Sequence, residues 1–243
     1  TNCSNGGWYG TGQAEYARVM HADGPLYKIP DGTYTNEQLA SFLTISDVMG
    51  TGYHAAVMAE VKRGDTVAVV GDGAVGLCGV IAARMLGATK IILLSRHEAR
   101  QKLGREFGAT DIVAERGEEG VQKVKALTDE GVGVDAVLEC VGTNEAVQTA
   151  LAVVCPGGMV GTVGLPHEVV LPFEQMFYRN VGIHGGPAPS RVYAPVLLQA
   201  VLKGEINPGR VFDFEATLDT INEAYASMDK REAIKSIINM SEV

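Results

Sequence analysis

Gly71, Gly73 and Gly76 stand in the spacing G-x-G-x-x-G, a pattern that could bind phosphate through the backbone alone. Gly71 would permit a tight turn, and Gly73 would remove the side chain that keeps a pyrophosphate off the chain. Gly76 would let a helix pack close on a strand. Such a turn needs a strand before it and a helix after it. Thr66-Val67-Ala68-Val69-Val70 is short, apolar and rich in β-branched residues, as a strand buried on both faces should be. Val75 to Leu86 is small, apolar and free of proline, which predicts the helix. Gly87 ends it, and Lys90-Ile91-Ile92-Leu93-Leu94 predicts a second strand. Free N–H groups at the helix start, with the positive end of its dipole, would then face the phosphates. In that context Gly71, Gly73, Ala74, Val75 and Gly76 form a candidate dinucleotide-binding turn. The plain alternative is a glycine turn of some other α/β protein.

The residues after the second strand bear on which dinucleotide. An NAD site would place Asp or Glu there for the ribose hydroxyls. This strand instead ends in Ser95-Arg96, with His97 and Arg100 close by. A carboxylate would repel a 2′-phosphate, whereas a hydroxyl and a guanidinium would bind one, the guanidinium through paired charged hydrogen bonds. NADP(H) is therefore the expected cofactor and NAD(H) the second choice. Glu98 is the nearest acid along the chain, and the pattern places it at the start of the next helix. A solvated basic loop is the plain reading of the same residues.

The rest of the chain must supply a sheet for this turn. Glu98 to Phe107 predicts an amphipathic helix, Ala109 to Val113 a strand and Glu119 to Leu127 a helix. Val134 to Gly142 reads as a strand ending in a glycine turn, Thr143 to Val154 as a helix stopped by Pro156-Gly157-Gly158, and Met159 to Leu165 as a buried strand. Asn180 to Gly186 is the expected last strand. Alternating strands and helices imply right-handed crossovers and a parallel sheet covered on both faces, hence an α/β, Rossmann-type doubly wound fold. Ahead of it, Ala14 to Met20 looks strand-like, Leu26 to Ile29 reads as a short edge strand, and Asn36 to Leu43 as a helix. A further helix is expected from the Asp47–Ala56 stretch to near Lys62. Behind the sheet come an expected helix over Ser190–Lys203, a strand at Val211–Phe214, a helix over Thr220–Met228 and a strand at Ala233–Ile238.

Composition narrows the function classes. A hydrophobic content of 46% with 30 glycines suits a filled α/β interior, and a net charge of −9 argues against nucleic acid as a partner. No apolar run reaches the roughly eighteen residues of a membrane span, and no charged-then-apolar leader opens the chain, so a soluble cytoplasmic protein is expected. Cys3, Cys78, Cys140 and Cys155 lack C-x-x-C spacing and read as small core residues of a reduced protein. The chain does not start like a complete protein, since it has no initiator Met.

The stretches G-Q-A-E-Y-A-R-V, D-V-x-x-T-G-Y-H-A-A and V-x-x-G-D-T-V-A-V-V-G-D-G-A-V-G together resemble the zinc-dependent medium-chain alcohol dehydrogenases, and the resemblance runs from Thr1 to Val243. It implies that most of the GroES-like catalytic domain is missing, with the Cys and His-Glu ligands of a catalytic zinc and the cysteine lobe of a structural one. Cys3 falls near that lobe's last cysteine, and the stretch from Trp8 to Gln13 is shorter than the family's. Asp47 matches a position that supplies a further zinc ligand, and Thr51 one that lines the nicotinamide; helix capping is the plain reading of both. A catalytic zinc needs about three protein ligands, so zinc is expected for the family but not held by this chain alone. The resemblance also implies that the backbones of Cys140-Val141-Gly142 and Val163-Gly164-Leu165 bracket the nicotinamide, that Val75 presses on its other face, and that Lys235 faces the pyrophosphate. It further implies pairing of the last strand with a symmetry mate, in a homodimer or homotetramer.

The expected domains are a catalytic-domain remnant at 1–45, a dinucleotide-binding domain at 46–186 and a returning C-terminal segment at 187–243. The function implied is an oxidoreductase moving hydride between NADP(H) and a small alcohol, aldehyde or ketone, with no nucleic-acid or membrane partner. The alternative is a non-catalytic NADP(H)-binding module or fragment. A methyltransferase using the same turn is disfavoured, because its ribose hydroxyls would want an acid where Ser95-Arg96 stands.

Overall fold

A computed structural model describes residues 13–19 and 21–240. The chain divides into two compact units, one over 48–188 and the other comprising 1–47 with 189–243.

The 48–188 unit is a six-stranded parallel sheet in the order β3-β2-β1-β4-β5-β6. Its strands are β1 (Thr66–Val70), β2 (Lys90–Leu94), β3 (Asp111–Val113), β4 (Val134–Glu139), β5 (Val154–Thr162) and β6 (Gly182–Gly185). Its helices are α2 (Val48–Met58), α3 (Ala74–Met85), α4 (Glu98–Phe107), α5 (Gly117–Ala126), α6 (Asn144–Val153) and α7 (Phe173–Arg179). The order reverses between β1 and β4, so a crevice opens beyond their carboxyl ends, where sheets of this kind bind ligands. β1 is apolar because it is covered twice; Val67, Ala68 and Val69 are fully buried.

Small residues let α2 lie directly on this unit. A Cβ at Gly52 would sit 2.6 Å from the Gly79 nitrogen of α3, and one at Gly161 of β5 would sit 2.0 Å from the Ala55 carbonyl oxygen. Backbone thus packs on backbone at both contacts, and any side chain would force the elements apart.

β5 departs from the expected course. It begins at Val154 and runs through Pro156-Gly157-Gly158, where the sequence pattern places a stop. The ladder accommodates them by a register shift: Val154 pairs with Val134, and pairing resumes at Met159 with Ala136. The proline sits in the bulge between, where no ladder donor is required. α7, with Phe173, Phe177 and Tyr178 largely exposed, is a helix the sequence pattern does not predict.

In the second unit, α1 (Asn36–Ile45) opens with a reciprocal capping box between Thr35 and Gln38. Ser41 on this helix accepts from the Gly209 N–H and donates to Asn207, tying α1 to the short 3-10 turn Pro208–Val211. α8 (Ser190–Leu202) and α9 (Ile221–Asp229) accompany a two-stranded parallel sheet of β7 (Phe212–Ala216) and β8 (Lys235–Ile238). The strands expected at Ala14–Met20 and Leu26–Ile29 are not formed in the described residues. Ala14–Val19 and Leu26–Ile29 are exposed, and a strand without a neighbour leaves its N–H and C=O groups to water. No described helix is long and apolar enough to cross a membrane.

Candidate cofactor site

The glycine turn follows β1 and opens α3. Gly71 has φ +114°, a conformation that favours glycine. A Cβ at Gly76 would lie 1.9 Å from the Gly71 carbonyl oxygen, so α3 can start this close only with glycine there. At Gly73 a Cβ would meet nothing within 4 Å. Gly73 caps α3 without a side-chain hydrogen bond. An open cradle therefore stands before the unpaired N–H groups of a helix start, and it fits a pyrophosphate.

The opposite side is built on Glu139, the last residue of β4 and fully buried. Its Oε1 accepts from the backbone N–H groups of Val141 (2.8 Å) and Gly142 (2.7 Å), and its Oε2 accepts from the Thr162 hydroxyl (2.8 Å). Its carbonyl accepts from the Val163 N–H at 2.9 Å. One residue thus binds the turn after β4 to the end of β5. The two turns touch through backbone: a Cβ at Gly142 would lie 2.1 Å from the Leu165 oxygen, and one at Gly164 equally close to the Gly142 nitrogen. Cys140-Val141-Gly142 and Val163-Gly164-Leu165 are therefore neighbours, and Val141 also meets Gly71, whose Cβ would lie 2.8 Å from Val141 Cγ2. Burial, then the charge of Glu139, then Cys78 push the Cys140 thiol far above the usual cysteine range, which disfavours the thiolate. Burial, then the facing His184, lowers the pKa of His54 on α2.

The end of β2 contains a partner that spacing did not reveal. Ser95 is buried, and its hydroxyl donates to Asp72 Oδ2 at 2.7 Å. Arg100, in the first turn of α4, places Nη1 3.3 Å from Asp72 Oδ1, with both side chains mostly covered. The nearest acid in space is thus Asp72 from the glycine turn; Glu98 begins α4 and is exposed. The signal for Asp72 was present in the sequence, an acid between the first two glycines, but only the fold brings it beside Ser95. Arg96 is exposed and without an ion pair among the described residues.

The remaining sequence-derived positions are spread over both units. Thr51 lies within α2, so it is not the cap of that helix, and Val75 lies in the first turn of α3. Asp47 and Lys235 belong to the other unit and meet each other, with Lys235 Nζ 3.7 Å from Asp47 Oδ2. No group of three or more His, Cys, Asp or Glu side chains converges among the described residues, so these residues do not fit a zinc ion. Cys3 and the stretch Trp8 to Gly12 lie outside the described residues.

Residues 74–201, more than half the chain, match the family of zinc-binding dehydrogenases. An alcohol dehydrogenase of Cupriavidus necator is 34% identical over 222 residues, covering 88% of this chain and 58% of that protein. An NADP-dependent isopropanol dehydrogenase of Clostridium beijerinckii is 31% identical, covering 92% and 65%. Among solved structures, a zinc-dependent alcohol dehydrogenase from Streptococcus pneumonia superposes with a TM-score of 0.82 at 28% identity, covering 91% of this chain and 63% of that one. The chain belongs to the zinc-binding dehydrogenases, the medium-chain alcohol dehydrogenase family that its sequence resembles. It spans less than two thirds of the length of these relatives.

Glu139→Ala should strip acceptors from two backbone N–H groups and a hydroxyl and leave a cavity, costing about 3–5 kcal/mol in urea unfolding. Glu139→Gln, which keeps one acceptor oxygen, should cost less than half of that. Equal losses for the two variants would show that the charge and second oxygen of the carboxylate matter and the space it fills does not.

Proposed function

We propose that this chain is the coenzyme-binding part of an oxidoreductase that moves hydride between NADP(H) and a small alcohol, aldehyde or ketone. The observation that carries the reading is the open, donor-lined cradle at Gly73, placed at the strand-order reversal of a parallel sheet. The nicotinamide supplies the hydride chemistry when bound, and the protein orients it. The N–H groups at the start of α3 would take the pyrophosphate, and Arg96, beside Ser95 and Arg100, would receive the 2′-phosphate. The backbone of the turns after β4 and β5 would hold the carboxamide, with Thr51 and Val75 against the ring. Asp47 and Lys235 are proposed as site positions on the family resemblance, and no step is assigned to a metal through Asp47. Family membership and the NADP-dependent isopropanol dehydrogenases among the relatives support this cofactor and substrate class.

A second reading, a cofactor-binding module without catalysis, is favoured by one observation: among the described residues no three His, Cys, Asp or Glu side chains converge to hold a Lewis-acidic metal. In this scheme 1–45 and 187–243 are parts of a catalytic domain and 46–186 is the coenzyme domain. A cytoplasmic location is proposed from the same likeness.

NADPH oxidation by the purified chain with a panel of aldehydes and ketones, with and without a zinc chelator, separates the two readings. Turnover supports the oxidoreductase, and its loss with chelator would require a metal site the described residues do not form. No turnover with NADPH bound leaves the module. Arg96→Ala should weaken NADPH binding by about 1–3 kcal/mol, as loss of a charged hydrogen bond does, while NADH affinity stays nearly constant. Equal loss for both cofactors would remove Arg96 from the phosphate.

Among the described residues β6 ends the sheet with no strand on its outer side, and Phe173, Phe177 and Tyr178 of the preceding helix are largely exposed. Both features suit self-association, and a homodimer or homotetramer is proposed. Light scattering on the purified chain should give a multiple of the 25.7 kDa chain mass; a monomer across the micromolar range would end that assignment.

A further inference from the structure

The three donors at the end of β2 do not stand free to meet a phosphate. Asp72 projects from the glycine turn and engages two of them: its Oδ2 accepts from Ser95 and its Oδ1 from Arg100. Ser95 is buried, and the Arg100 and Asp72 side chains are only 12% and 17% exposed, so the charges interact in a poorly screened place. The carboxylate cancels the guanidinium, and of these four side chains Arg96 alone keeps an uncompensated positive charge among the described residues. A 2′-phosphate entering this pocket would meet less positive charge than Ser95-Arg96 and Arg100 suggest, and a carboxylate besides. A ribose 2′-hydroxyl would meet an acceptor, since each carboxylate oxygen keeps a lone pair beyond its present bond.

We infer that Asp72 is the specificity-determining residue of the cofactor site, withholding Ser95 and Arg100 from the 2′-phosphate of NADPH and offering its carboxylate to the ribose hydroxyl of NADH. The inference rests on reading this pocket as the adenosine-ribose end of the cofactor site. It places the acid that tunes the choice in the glycine turn, while the end of β2 carries the cation. The outcome is a site that accepts both cofactors, with Arg96 favouring one and Asp72 the other.

The test is calorimetric titration of the intact chain with NADPH and with NADH, comparing wild type with Asp72→Asn. The amide still accepts from Ser95 or Arg100, so the turn keeps its shape while the charge is lost. NADPH should bind about tenfold tighter to the variant, because one close repulsive charge is gone, and NADH should change by less than about threefold. Should Asp72→Asn fail to fold, Asp72→Ser removes the same charge and should shift the NADPH-to-NADH ratio in the same direction. A parallel change for both cofactors would overturn the inference, because Asp72 would then act on the shared part of the dinucleotide. Weaker NADPH binding alone would also overturn it, by showing that Asp72 positions Arg100 for the phosphate. Binding of neither cofactor by folded wild type would fell the reading of the site itself, and the inference with it.

Discussion

The buried carboxylate of Glu139 joins more of the site than any other side chain. A charge at the centre of a sheet is expensive unless every lone pair facing the interior is used. Here two backbone N–H groups and a hydroxyl meet it, and the residue's own carbonyl holds the next strand's exit. The ends of β4 and β5 are therefore fixed relative to each other before any ligand arrives. Because Val141 also packs against Gly71, the same carboxylate indirectly sets the far wall of the glycine turn. Preorganisation of this kind lowers the ordering cost of binding.

The second constraint is the absence of side chains where elements touch. α2 rests on α3 through Gly52 and on β5 through Gly161, and the turns after β4 and β5 meet through Gly142 and Gly164. These contacts bring carbonyl and amide groups to the crevice without intervening methyl groups. Glycine therefore serves two separate purposes: positive φ at Gly71 and Gly142, and close approach with an ordinary backbone at Gly52, Gly76, Gly161 and Gly164.

Most of the sheet was legible from the sequence because its strands are continuous apolar runs bounded by glycine, and its helices are of the length the pattern implies. α4 was delimited to the residue, Glu98 to Phe107. The misses have physical causes. β5 crosses a proline because a bulge exempts residues 155–158 from the ladder, a fact about its partner strand that local pattern does not carry. Ala14–Val19 and Leu26–Ile29 have strand composition but no neighbour among the described residues, and composition says nothing of neighbours. In the site, the glycine turn was readable because each glycine answers a backbone need. Asp72 and Glu139 were not, since their roles depend on Ser95, twenty-three positions away in the first case, and Thr162, likewise twenty-three away in the second.

The two ends of the crevice differ in kind. Around Glu139 and Gly73 the groups on offer are mostly backbone amides and carbonyls, whose positions follow from the fold and which no single surface substitution alters. At the end of β2 they are the side chains of Asp72, Ser95, Arg96 and Arg100, whose charges can change one residue at a time. In the proposed reading, the part common to NADH and NADPH is bound by the first kind of group and the distinguishing phosphate by the second. Cofactor choice can then drift by single substitutions while the sheet, the turn and the orientation of the nicotinamide stay as they are. The stability of the fold and the selectivity of the pocket are thereby nearly independent, because one is set by residues buried among backbone and the other by the side chains that meet at Asp72.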